Sequence, residues 1–179
     1  RAKFLETSKK YFGVPYAKKF HPPGTPLHNA PLFLDCCALI RQIVNDLKDD
    51  FGFALGPFNQ NYQFETLPIV LKKEEMRPGD LIFYEAKFYP HCRFRKQIHG
   101  LVHVEIFTGG ENGNMSIGAR WNSGVVGEHN DYRFESTNYY DVKHHFRSID
   151  TWIDGVCKSH FARSAFGQVL DFDANRNSL

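Results

Sequence analysis

The stretch PLFLDCCALIRQIVNDL, Pro31 to Leu47, constrains this chain more than any other part of it. A short apolar lead-in, Leu32-Phe33-Leu34, runs straight into Asp35, a residue type favoured at helix N-caps. Apolar residues then recur at Ala38, Leu39, Ile40, Ile43, Val44 and Leu47 before Gly52, which predicts a buried helix. Cys36 and Cys37, two of the four cysteines in the chain, open its first turn.

The rest of the pattern supplies partners for that helix. In RAKFLETSKKYF, Phe4, Leu5, Ser8, Tyr11 and Phe12 fall at helical spacing, so residues 1–12 read as a short entry helix ended by Gly13 and Pro15. Pro22 to Pro31 has the composition of a loop, and LPIVLKK is a brief apolar run. MRPGDLIFY is a Pro-Gly turn feeding a strand from about Asp80 to Tyr84. LVHVEIFTG reads as a strand, GGENGN as a turn, and Met115 to Arg120 as the returning hairpin partner, with a third strand near Val125. Roughly 85–100 is a polar and aromatic insertion, and SIDTWIDGVCKSHF in the tail looks helical before the polar DANRNSL. With 42% hydrophobic and 15% aromatic residues and no repeat or linker, one α+β domain over 1–179 is expected.

Charge and cysteine usage exclude several classes. A net charge of +2 makes no electrostatic case for nucleic-acid binding, and Arg93, Arg95 and Lys96 form only one short basic cluster. No stretch approaches the roughly 20 apolar residues of a membrane span. Cysteines at 36, 37, 92 and 157 do not form a secreted disulfide framework, so a reducing compartment, the cytoplasm, is expected. The chain begins at Arg1 without Met, as a domain of a larger protein would. His91, Cys92, His99 and His103 are zinc-type ligands crowded into thirteen positions, but adjacent ligands at 91 and 92 cannot easily share a tetrahedral site. No metal and no cofactor is expected.

What the helix head can do is chemical. A thiol there lies near the positive end of the helix dipole and beside backbone N–H groups, which lower its pKa and can hold an oxyanion. Such a nucleophile needs a base. His103 is a candidate, because VHVEIF puts it on a strand whose other face, Val102, Val104 and Ile106, is apolar.

Four segments in chain order carry this further: Gly13-Val14-Pro15-Tyr16, Asp35-Cys36-Cys37-Ala38-Leu39, Pro78-Gly79-Asp80-Leu81-Ile82-Phe83-Tyr84 and His103-Val104-Glu105-Ile106-Phe107. Together they resemble the signatures of the NlpC/P60 family of papain-like cysteine peptidases. The resemblance covers about residues 10–126 and leaves a C-terminal extension, about 127–179, without an account. It implies a nucleophile-bearing helix packed on an antiparallel sheet that carries the base. It also implies Cys36 as nucleophile and His103 as base, with substrate contacts from Tyr16, Asp35 and Cys37. Cys37 stands where the family usually has Ser, as a pocket-wall or packing residue. Asp35 has two readings, a contact to a substrate amine or simply a helix cap.

Two departures stand out. The family usually carries a third polar residue, often His, on the strand after the base, and Gly118 occupies that place. Glu105, where the family usually has Gly, lies two residues after His103 on the same strand face, so it would either orient the imidazole or line the pocket. His144, His145 or a backbone carbonyl are the alternatives for that role. The implied activity is hydrolysis of a peptide or amide bond, of the γ-glutamyl or isopeptide kind, through a Cys-His thioester. The basic residues of the insertion would suit an acidic substrate. Two rival readings are a catalytically silent interaction module and a papain-like acyltransferase or thioesterase.

Overall fold

A computed structural model describes residues 1–17, 19–92, 98–158, 162–163 and 169–170. Its helices are α1 (Ala2–Lys9), α2 (Cys36–Asp46), α3 (Lys48–Phe51), α4 (Gln60–Glu65) and α5 (Asp150–Ile153). The strands are β1 (Val70–Leu71), β2 (Leu81–Phe88), β3 (Leu101–Gly109), β4 (Met115–Ala119), β5 (Val126–His129) and β6 (Tyr139–Arg147). Ala162–Arg163 and Val169–Leu170 form a separate antiparallel pair.

α2 begins where the sequence places it. Asp35 sits in extended conformation, and its Oδ1 accepts the Ala38 N–H at 2.9 Å, satisfying a donor that has no partner inside the helix. Leu39, Ile40, Ile43 and Val44 are buried against Leu81, Phe83, Val104, Ile106, Ile117 and Ala119 of the sheet. Each such side chain contributes about 1.5–3 kcal/mol on burial. The helix predicted to run to Gly52 is split at Leu47, whose backbone (φ −104°, ψ 20°) leaves the helical region, and α3 then ends at Gly52 in the left-handed region.

The six strands lie in the order β1-β6-β2-β3-β4-β5, and every paired neighbour is antiparallel. The second face of the sheet has its own apolar cluster, with Ile82, Tyr84 and Phe107 packed on Met76 and Tyr132. The PGD turn is held by Asp80, fully buried, which accepts from the backbone N–H groups of Arg77 (2.7 Å) and Ile149 (3.2 Å) and from Arg1 (2.7 Å). One carboxylate thereby ties the start of β2 to the end of β6 and to the head of α1.

Several sequence expectations change. The entry helix is shorter than 1–12, stopping at Lys9. β2 continues to Phe88, so the insertion starts later than residue 85, and residues 93–97, including Arg93, Arg95 and Lys96, lie outside the described residues. Of SIDTWIDGVCKSHF only Asp150–Ile153 is helical, with 159–161 and the terminal DANRNSL outside the described residues. β6 has no counterpart in the sequence reading; it pairs with β2 along most of its length and brings the C-terminal third into the sheet. Among the described residues no helix is long and apolar enough to cross a membrane.

Candidate active site

A cavity of about 320 Å³ opens at the head of α2. Tyr16, Asp35, Cys36, Cys37 and His103 all line it, so five of the six residues singled out by sequence surround one space. Tyr16 arrives on a segment clipped to the start of β5, through Tyr16 N–H to the Gly124 carbonyl (2.8 Å) and Val126 N–H to the Val14 carbonyl (2.8 Å). Its ring packs edge-on against Trp121. Burial first, then the neighbouring Cys36 and Asp35, push its hydroxyl far above the ordinary tyrosine range.

Cys36 and Cys37 are 5% and 7% exposed. The Cys37 thiol donates to Asp35 Oδ1 at 3.1 Å, and its carbonyl accepts from Gln63 Nε2 at 2.8 Å. On α4, Gln60 Nε2 reaches the Leu101 carbonyl at 2.7 Å. Two glutamines on one short helix therefore fasten the head of α2 and the beginning of β3 to the same support.

His103 lies opposite Tyr84 in the β2-β3 ladder. The next pair is Glu85 with Leu101, so Val102 is an extra residue, a β-bulge. Strict alternation would put Val102 on the face opposite His103. The bulge removes that alternation, and both residues line the cavity.

Glu105, the sixth residue, is completely buried behind His103. Its Oε1 lies 2.9 Å from His103 Nε2 and 2.6 Å from Arg120 Nε. Its Oε2 accepts from Ser116 Oγ (2.6 Å) and a terminal nitrogen of Arg120 (2.8 Å), with the Tyr84 hydroxyl at 3.0 Å. Burial by itself would push this carboxyl up, but the hydrogen bonds from Arg120 and His103 and their charges outweigh it and hold the group well below the usual carboxylate range. Gly118 explains how the carboxylate fits. A Cβ there would come within 2.7 Å of Glu105 Cγ and Oε1, so the space left by the missing side chain is the space Glu105 fills. The polar partner of the histidine thus reaches it from β3 instead of β4. His144 packs edge-on against Tyr84 and Tyr132, and His145 pairs with Glu85; neither bonds His103.

Other cysteine and histidine positions are dispersed. Among the described residues, His91 contacts the Thr137 carbonyl, His99 contacts Glu65, and Cys92 lies 3.8 Å from Asn138 Oδ1. Cys157 is buried, and burial pushes its thiol up to about 11. The donor atoms of Asp35, Cys36 and Cys37 lie within 4.8 Å of one another, and Asp35 Oδ1, accepting from Ala38 and Cys37, caps the helix there.

Sequence reasoning missed Arg120, Ser116 and Tyr84 around Glu105. It also missed much of the cavity wall, including Arg41, Trp121, Phe134 and Tyr139. The one local signal was Gly118, since glycine within a strand often marks close approach by another group.

Neither a family sequence model nor any curated protein sequence matches this chain. Solved structures of NlpC/P60 domains match its fold. NlpC2 from Trichomonas vaginalis aligns with a TM-score of 0.52 at 16% identity, over 80% of this chain and 44% of that one. The peptidoglycan hydrolase RipB from Mycobacterium tuberculosis aligns with a TM-score of 0.48 at 16% identity, over 83% and 63%. The P60 domain of an M. avium subspecies paratuberculosis antigen gives 0.49 at 17%, over 83% and 93%. The chain spans less than two thirds of RipB and less than half of NlpC2. At these identities the likeness is one of fold, and the α+β NlpC/P60 arrangement implied by the motif order is the arrangement of this chain.

Proposed function

From an NlpC/P60-type fold as premise, we propose that this protein is a cysteine hydrolase acting on a peptide or amide bond. One observation carries the reading: Cys36, at the head of a buried helix, and His103 line the same cavity, and His103 Nε2 is taken by a buried carboxylate. The nitrogen left for the thiol is Nδ1. Proton transfer from Cys36 to His103 forms a thiolate, which attacks the substrate carbonyl carbon while the Cys36 backbone N–H supports the oxyanion. The C–N bond breaks, His103 gives its proton to the departing amine, and an acyl thioester remains on Cys36. Water then loses a proton to His103 and attacks the thioester, the C–S bond breaks, and the acid leaves.

Asp35 and Arg41 put one acidic and one basic side chain on the cavity wall, so a substrate bearing an amine or a carboxylate near the scissile bond would find a counterion. Trp121, Phe134 and Tyr139 supply aromatic walls for its carbon skeleton. The rival reading, a silent module, is motivated by Gly118 and by the altered DCCAL motif; the Glu105–His103 hydrogen bond supports the enzyme reading by giving the imidazole a polar partner despite Gly118.

Iodoacetamide labelling read by mass spectrometry tests the reading. Fast, pH-dependent alkylation selective for Cys36 over Cys37, Cys92 and Cys157, and slowed by His103→Ala, is expected. A Cys36 no more reactive than a free cysteine peptide would overturn it.

A further inference from the structure

Arg120 follows directly on β4, and its side chain is 9% exposed. Its guanidinium makes two parallel bonds to the two oxygens of Glu105, at 2.6 and 2.8 Å. The same terminal nitrogen that bonds Oε2 also donates to the Asp131 carbonyl at 2.8 Å, and the guanidinium carbon lies 3.9 Å from the centre of the Phe134 ring. Phe134 packs edge-on against His103 and lines the cavity. Arg120 therefore grips both the carboxylate behind the histidine and the wall in front of it.

We infer that Arg120 is a positioning residue for the proposed reaction: its planar fork holds Glu105 in place as an acceptor, and so holds the His103 ring with Nε2–H toward Glu105 and Nδ1 toward the thiol. The inference rests on the Cys36–His103 reading. Its basis is geometric. A carboxylate buried this completely cannot keep its charge without a permanent counterion, and a bidentate guanidinium supplies one and fixes the carboxylate plane as well.

The surrounding groups leave that task to Arg120. Tyr84 on β2 and Tyr139 on β6 have their hydroxyls pushed up by burial, while burial pushes His129 on β5 and His144 on β6 down. All four are uncharged at neutral pH, and Ser116 does not titrate. Around Cys36 stand Tyr16, Asp35, Cys37, Arg41 and Tyr139. None of these bonds Glu105.

The sign of the effect follows from counting charge. With Arg120 present, loss of the proton that creates the thiolate takes the cluster of Glu105, Arg120, His103 and Cys36 from net positive to neutral. Without Arg120 the same loss takes it from neutral to net negative, which is less favourable, so the thiolate forms at higher pH.

The experiment is the alkylation rate of Cys36 against pH, over about pH 5 to 9, for the full chain and its variants. In Arg120→Met the acidic limb is expected to move up by roughly 0.5–1.5 pH units, lowering the rate near pH 6 by about tenfold. In Arg120→Met/Glu105→Gln, where both charges are gone, the limb should return toward the wild-type position. Arg120→Lys, which keeps the charge and loses the fork, should leave the limb in place and slow the reaction severalfold; this variant carries the test should Arg120→Met fail to fold. An unmoved limb in Arg120→Met, or Arg120→Lys behaving as wild type in both rate and limb, would overturn the inference while leaving the nucleophile assignment intact. Slow alkylation of wild-type Cys36 would instead overturn the reading on which the inference stands.

Discussion

Two histidine-glutamate pairs on one sheet have nearly the same contact distance and opposite surroundings. His103 Nε2 is 2.9 Å from Glu105, with side chains 6% and 0% exposed; His145 Nε2 is 2.8 Å from Glu85, with side chains 39% and 35% exposed. Distance alone would rank them equal. The buried pair needs Arg120, Ser116 and Tyr84 to complete it, because each unsatisfied polar atom there would carry its full desolvation cost. The exposed pair has water and Lys143, 3.5 Å from Glu85, and an ion pair of that kind contributes little to stability. A coupled, expensive cluster beside a thiol is a candidate for chemistry, whereas a solvated pair of the same length is surface.

Substitutions can break this contrast at several strengths. The largest difference is expected in turnover. Cys36→Ala and His103→Ala should each lower hydrolysis by roughly a thousandfold or more, while Cys37→Ser and His145→Ala keep most of it. Assays on a library of γ-glutamyl and other short peptides read this directly, and an active Cys36→Ala beside an inactive Cys37→Ser would mean the helix register is misassigned.

Unfolding in urea gives the next contrast. Arg120→Ala strands a buried carboxylate and should cost about 3–5 kcal/mol. Lys143→Ala, which removes a solvated partner of Glu85, should leave the urea midpoint where it was. Equal losses in the two variants would contradict the division drawn above.

Gly118 and Gly127 face each other across β4 and β5, yet their surroundings differ. A Cβ at Gly118 meets Glu105 at 2.7 Å, whereas one at Gly127 meets nothing within 4 Å. Gly118→Ala should therefore cost about 1–3 kcal/mol and reduce turnover about tenfold by displacing the carboxylate, while Gly127→Ala stays within about 0.5 kcal/mol of wild type.

A smaller effect should appear on acidification. His129 and His144 are held below their ordinary pKa by burial, and His144 Nε2 is buried without a hydrogen-bond partner. The unfolded chain takes up their protons first, so stability present above about pH 6.5 should decline as pH falls through the gap to the folded values. The depressed Glu105 carboxyl adds a second loss that begins only near the ordinary glutamate range, about pH 4.3, and continues below it. Urea midpoints taken at falling pH should thus show two declines, the lower one reduced in Glu105→Gln, where Asp131 and Asp150, also held below the ordinary range, still contribute. Smallest of all, Glu85→Gln should change neither stability nor turnover measurably in physiological salt, since Glu85 is lowered chiefly by its hydrogen bond to a partly exposed histidine.

Local pattern in the amino-acid sequence determined α2 with its Asp35 cap and two-thiol head, the core of β2, the whole of β3, and the placing of Glu105 on the same strand face as His103. These features depend on residues a few positions apart, where helical or strand period decides which side chains share a face. Tertiary structure decided the rest. Val102 reaches the cavity because a bulge in the β2-β3 ladder breaks the alternation that the residues themselves suggest. Gln60 and Gln63 join β3 and the head of α2 to one helix across separations of 41 and 26 residues. Extending the Ile106–Ile117 register by one step sets Glu105 opposite Gly118, and the empty position there admits the carboxylate that Arg120 then neutralises. A glycine and a glutamate on different strands have no periodic relation in sequence; register and burial made one the space for the other.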